Sequence, residues 1–204
     1  MPIIIDDILQ GTPEWMTLRL GNPGASNFGK ILTATGKISE SRNKYMIELA
    51  CEIVSGRSED SFQSYRMKEG NKNEAESRRV YAMNHEDLDV YQVALVYKDE
   101  RKMAHSSPDA LVGTVGGFET KDAKFTIQYD RLMSGKMETS HIPQVQGGMY
   151  ICEREWWDWQ SYCSGLPELC IRNYRDEKYI SRLDEELEKF NYELAILVNK
   201  LKAM

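Results

Sequence analysis

A chain of 204 residues is long enough for one full hydrophobic core and too short for two generous ones, so a single domain over residues 1–204 is expected. Its 41% apolar and 28% charged residues exclude a disordered or fibrous protein, and no apolar run approaches the roughly 18 residues of a membrane span. A net charge of −6 argues against a protein that coats nucleic acid, but it allows an enzyme with a local basic channel.

The opening MPIIIDDIL has no basic n-region and carries acids within its apolar run, so it reads as an ordered strand or helix entry rather than a signal peptide. Cys51, Cys152, Cys163 and Cys170 form no CxxC and no metal spacing, which predicts reduced, mostly buried thiols in an intracellular chain and no zinc. Gln10 to Leu20 suits a short helix, capped by Thr12 before Pro13, with Trp15 and Leu18 facing inward. A turn at Gly21-Asn22-Pro23-Gly24 follows, and Ser26 is expected to open a second helix, SNFGKILTA. A capping serine and a solvated arginine are the ordinary reading of this stretch. Arg19 followed by a Gly-rich turn into a Ser-led helix start also makes a ready phosphate site.

Residues 40–55 place Tyr45, Met46, Leu49, Ala50 and Ile53 at helical spacing, a core stripe with Arg42 and Lys44 on the solvated side. A long helix is predicted over much of 62–84. It contains Gly70 and, one turn on, Glu74, with Met67, Lys68 and Lys72 on the preceding turns as candidates to meet a DNA duplex. VYQVALVYKD, residues 90–99, reads as a strand that pairs with MAHSS, and His105 within it reads as a packing or hydrogen-bonding residue.

Ser107 to Lys121, SPDALVGTVGGFETK, reads as two extended segments joined by a Gly-rich turn. Period-2 alternation puts Glu119 and Lys121 on one face, within reach of Asp109 on the neighbouring strand. Two carboxylates beside a lysine suit a hard cation such as Mg²⁺, which keeps several waters for a phosphate substrate. The lysine could then orient or deprotonate a water for attack on a phosphodiester. A bare ExK is more often a surface Glu/Lys pair; the Pro108-Asp109 ten residues before Glu119 is what raises the odds.

Residues 141–151 read as a helix with Gln144 and Gln146 near its start, followed by a strand in which Trp156, Trp157 and Trp159 are core rather than base-stacking platforms. The last segment is the clearest helix, with Ile180, Leu183, Leu187, Phe190, Leu194, Leu197 and Leu201 three and four apart.

Three of these patterns resemble known ones. Pro108-Asp109 with Glu119-Thr120-Lys121 resembles the PD-(D/E)xK nuclease signature. QxxxxWxxxRxGxxxxS from Gln10 to Ser26, and PQVQGxxY followed by WWDxxSYC, are similar to motifs of the lambda exonuclease or YqaJ-type viral recombinase family. The resemblance runs from about Gln10 to about Leu201. It departs from the family at Asn22-Pro23-Gly24, where relatives more often have a β-branched residue before the Ala-Ser. The resemblance implies an α/β (α+β) fold with a restriction-endonuclease-like core, in which a mixed central sheet is flanked by helices and closed by the C-terminal helix. It implies degradation of linear duplex DNA 5′→3′ with Mg²⁺ (Mn²⁺ as substitute), by a homotrimeric ring in the bacterial cytoplasm that passes a single strand to an annealing protein. Carried onto this sequence, Asp109, Glu119 and the Thr120 carbonyl would hold the metal, and Lys121 would act on the water. Glu74 and Gln144 would complete the site, while Arg19, Ser26 and Ser107 would bind the 5′-phosphate. Two rivals stand beside it: an endonuclease on the same core, and a non-catalytic DNA-binding or assembly protein.

Overall fold

The computed structural model describes residues 1–58 and 65–204, with backbone only for residues 65–72, and divides the strands between two sheets. The larger is a mixed five-stranded sheet of β2 (Val90–Tyr91), β5 (Ala110–Val112), β6 (Gly116–Asp122), β7 (Trp156–Tyr162) and β8 (Leu169–Tyr174), in the order β2-β5-β6-β7-β8. Only the β6–β7 pair within it is parallel. A parallel pair needs a long crossover, and α4 (Phe125–Ser134) and α5 (Ile142–Cys152) supply it. The smaller sheet is antiparallel, β1 (Ile3–Ile5) against β3 (Leu95–Tyr97) against β4 (His105–Ser106).

The mixed central sheet with flanking helices is as expected; the second sheet is not. VYQVALVYKD is two strands rather than one, because the chain leaves the large sheet after Tyr91 and enters the small one at Leu95. Gln92 to Ala94 make the crossing, and Gln10 fastens it by donating to the Val93 carbonyl at 2.8 Å. The anticipated pairing with MAHSS holds, through Val96↔Ser106 and Tyr97↔His105.

β7 is buried along its whole length, as befits a strand covered on both faces. Its tryptophans are core: Trp157 and Trp159 are almost fully enclosed. Trp156 and Trp157 lie against Gly116 and Gly117 of β6, where any added methyl would fall far inside van der Waals contact with the rings. α6 (Glu177–Lys202) starts at Asp176, whose side chain accepts from the Tyr179 N–H at 3.0 Å, an ordinary N-cap. Its seam from Ile180 to Leu194 is buried against the core, with Leu197 and Leu201 partly so.

Several expectations need correction. α1 is shorter than anticipated, Pro13–Arg19, although Thr12 caps it as expected. The second helix is a 3₁₀ turn over Ala25–Lys30 with Gly24 at its N-cap position, and Ser26 caps nothing. Arg42, expected in solvent, is buried at the start of α2 (Arg42–Ser55), where it pairs with Glu193 of α6 at 2.7 Å. Only Cys152 and Cys163 are buried; Cys51 and Cys170 are exposed. α4 was not anticipated, because its polarity is inverted. Its one buried side chain is Gln128, bonded to Ser161 and the Pro167 carbonyl, while Phe125, Tyr129 and Met133 face outward. No helix among the described residues is long and apolar enough to cross a membrane.

Candidate active site

The β5–β6 hairpin pairs Ala110 with Phe118, so one further step along the ladder sets Asp109 opposite Glu119. Asp109 Oδ2 accepts from the Thr120 backbone N–H at 2.6 Å, which pins the first carboxylate to the strand that carries the second. Glu119 Oε1 accepts from Lys121 Nζ at 2.7 Å and from Gln144 Nε2, which reaches down from the first turn of α5. Glu74 approaches from α3 (Tyr65–Asn84) and is held by Arg78 one turn on, at 3.2 Å. The same guanidinium donates to the Asp109 carbonyl at 3.0 Å. A buried chain of hydroxyl and amide groups, Ser77, Thr120 and Gln160, fastens α3 to β6 and β7 behind the carboxylates.

Electrostatics couple these groups. Burial, then the charges of Glu119 and Glu74, raise the Asp109 carboxyl well above its usual range. Glu74 is raised for the same reasons, burial first and Glu119 adding to it, against the opposing pull of Arg78 and Lys121. Burial disfavours the Lys121 ammonium, but Glu119, Asp109 and Glu74 outweigh it and hold the pKa above its ordinary value. Lys121 is therefore a cation in this site. Crowded carboxylates that resist ionisation are what a divalent cation relieves.

The donor set fits such an ion. The bonds described use Oδ2 of Asp109 and Oε1 of Glu119, leaving the other oxygen of each without a partner among the described residues. No group of three or more His, Cys, Asp or Glu side chains that could hold a metal stands together among the described residues. Two neighbouring carboxylates with an oxygen each to spare suit a hard cation that keeps several waters.

A cavity of about 180 Å³ lies beside the pair, lined by Glu119, Lys121 and Gln144 together with Arg19, Ser26 and Ser107. Arg19 sits in the last turn of α1, its guanidinium 4.0 Å from the centroid of the Trp15 ring. It forms no ion pair among the described residues, and burial lowers its pKa despite the countering influence of Tyr45 and Glu52. Ser107 Oγ is buried without a hydrogen-bond partner among the described residues. A part-buried guanidinium with no ion-pair partner among the described residues and an unsatisfied hydroxyl in one cavity form a receptor for an anion. Ser26 is exposed at the cavity rim with no hydrogen-bond partner for its hydroxyl among the described residues, so the anticipated helix start contributes no cap there.

The six candidates around the cavity thus meet, with Asp109, Thr120 and Glu74 directly behind. The side chains of Met67, Lys68 and Lys72 lie outside the described residues. Sequence reasoning passed over two residues of the site. Arg78 could have been found as the i+4 partner of Glu74. Gln10, which donates to the Pro108 carbonyl at 2.9 Å, gave no signal beyond its place in the N-terminal motif.

The model of the YqaJ-like viral recombinase domain matches residues 14–155, well over half the chain. The chain belongs to this family. Among solved structures, the alkaline exonuclease LHK-Exo of Laribacter hongkongensis is 30% identical, with a TM-score of 0.84 over 94% of this chain and 97% of that one. The same exonuclease in complex with dAMP matches at 30% identity and a TM-score of 0.83, over the same shares of both chains. A phage-related exonuclease from Haemophilus somnus 129PT shares the fold at 14% identity, with a TM-score of 0.67 over 88% of this chain and 96% of that one. Curated protein sequences give no match.

Proposed function

We propose that this YqaJ-family chain is a single-domain, Mg²⁺-dependent exonuclease that degrades linear duplex DNA 5′→3′. The observation that carries the reading is the shared cavity, in which Arg19 and Ser107 await an anion beside Glu119, Lys121 and Gln144. A nuclease that measures from an end needs both functions in one place.

Arg19 has both η-nitrogens available for a terminal phosphate, which differs from an internal one by an extra oxygen and charge. Ser107 and Ser26 add hydroxyl donors. Seating that phosphate carries the next phosphodiester toward Asp109 and Glu119. Mg²⁺, or Mn²⁺ in its place, bound by those carboxylates and the Thr120 carbonyl would offset the negative charge that develops at phosphorus. Lys121 and Gln144, both bonded to Glu119, hold the attacking water in line. Glu74 completes the acidic wall, and Met67, Lys68 and Lys72, whose side chains lie outside the described residues, would meet the incoming duplex. The product is a 3′ single strand for an annealing protein, in the cytoplasm of a bacterium carrying the phage or prophage.

Digestion of end-labelled linear duplex, with and without a 5′-phosphate, in Mg²⁺ and in chelator, tests this directly. Mg²⁺-dependent mononucleotide release that is faster from phosphorylated ends is expected. Cleavage of covalently closed circles would instead favour an endonuclease, and no nucleotide release in Mg²⁺ would favour a binding protein. An acidic enzyme gains from encircling the DNA it must stay on, and the family resemblance implies a homotrimeric ring, so light scattering should give about three times the 23.6 kDa chain mass.

A further inference from the structure

His105 is almost fully enclosed, 2% exposed, yet its ring is not satisfied as a core histidine would be. Nε2 lies 3.3 Å from Arg19 Nε, and Nδ1 has no hydrogen-bond partner among the described residues. An arginine Nε always carries its hydrogen, so Nε2 must be the acceptor and the ring hydrogen must sit on Nδ1, buried and unpaired. A phenylalanine would fill the same space without that orphan donor. A buried polar atom left unpaired needs a reason, and the bond to Arg19 supplies one.

Three further features hold the ring in place. The His105 backbone N–H donates to the Pro23 carbonyl at 3.1 Å, and the chain forms a parallel bridge with Gly24. A Cβ on Gly24 would stand 2.7 Å from His105 Nε2, so the ring occupies the space where a side chain at position 24 would sit. Gly24 has φ −99° and ψ 149°, which any residue adopts, so its lack of a side chain answers to the histidine and not to the backbone. On the other side, Trp15 stacks on the Arg19 guanidinium.

We infer that His105 is the positioning residue for Arg19, fixing its guanidinium through Nε so that both η-nitrogens face the terminal phosphate. This rests on the phosphate reading of the cavity. The ring fixes one edge of the guanidinium fork and Trp15 its plane, so little freedom remains to be lost when the phosphate binds. Burial, and then the charge of Arg19, lower the His105 pKa to about 3, so the ring remains a neutral acceptor at any pH at which the enzyme works.

The test compares initial rates on 5′-phosphorylated and 5′-hydroxyl duplex ends for wild type, His105→Phe, His105→Gln and Gly24→Ala, with melting temperatures as the folding control. His105→Phe should cut the phosphate-to-hydroxyl rate ratio by about 10-fold, the worth of one ordinary hydrogen bond. His105→Gln, which keeps an acceptor at similar reach, should recover part of it. Gly24→Ala should lower the ratio without touching the ring's chemistry, and carries the test should His105→Phe fail to fold. Equal losses on both end types, or an unchanged ratio in folded His105→Phe, would overturn the positioning role alone. A wild type without any phosphate preference would overturn the phosphate reading of the cavity and this inference with it.

Discussion

At one end of the cavity Asp109, Glu119 and Lys121 come from a single hairpin, a span of 13 residues, whereas at the other Arg19 and His105 meet across 86 positions. The first group is held by ladder geometry: a period-2 strand has nowhere else to put Lys121 once Glu119 faces in. The second is held by packing between α1, the Pro23-Gly24 turn and the small sheet. Locally coded sites survive small changes elsewhere, while assembled ones depend on every piece that positions them. The acidic end should therefore respond to substitution by losing chemistry, and the cationic end by losing discrimination between substrates.

The sharpest way to break that contrast is Lys121→Ala. Loss of a group that acts on the attacking water should lower the cleavage rate by about 10²- to 10⁴-fold while DNA binding, read by gel shift in Ca²⁺, stays nearly intact. Wild-type turnover by the purified variant would remove Lys121 from the mechanism. Next is Arg19→Ala, which should cost the preference for 5′-phosphorylated ends by about 10- to 100-fold, as expected for a hydrogen bond to a charged group. Time courses on both end types decide it; a retained preference would make Arg19 a surface arginine.

The smallest effect is on stability. A carboxyl whose pKa is higher in the folded than in the unfolded state contributes fully to folding below its unfolded value, about pH 4. That contribution is lost as pH rises through the folded value. The raised Asp109 carboxyl thus weakens the metal-free protein near neutral pH. In chelator at pH 7.5, Asp109→Asn should melt about 2–4 °C higher than wild type, the equivalent of roughly 1 kcal/mol in a chain of this size. The gap should close as pH falls toward 4, and Mg²⁺ should raise the wild-type melting temperature and not that of the variant. Calorimetry across pH, with and without Mg²⁺, measures all three; a variant that melts lower in chelator would mean that the carboxylate is not held against its charge.

The same contrast explains what was legible beforehand. The hairpin, the buried tryptophan strand and the α6 seam were all visible, because each is written in a short local period. α4 was not, since the helix turns its apolar residues outward around a buried Gln128 and so reverses the pattern that periodicity detects. The strand over 90–99 was readable as strand, but nothing local marks Gln92 to Ala94 as the place where it changes sheets. Arg42 looked solvated because its partner Glu193 is 151 positions away. In the cavity, the residues Arg19, Ser26 and Ser107 were found through the family motif. The bond of Arg19 to His105 was not, because a histidine in a strand carries no mark of what it faces.

The packing of Gly116 and Gly117 against Trp156 and Trp157 bears on how this chain can drift in sequence. A larger residue on the glycine side strikes a ring first, which in a packed core costs about 1–3 kcal/mol or more. Trimming a tryptophan first leaves a void, at about 3–5 kcal/mol. Against a typical total of about 5–15 kcal/mol, either first step uses up much of the margin before the second can restore it. The four positions should therefore change together or not at all, and the strand that carries Glu119 and Lys121 keeps its seat for packing reasons of its own.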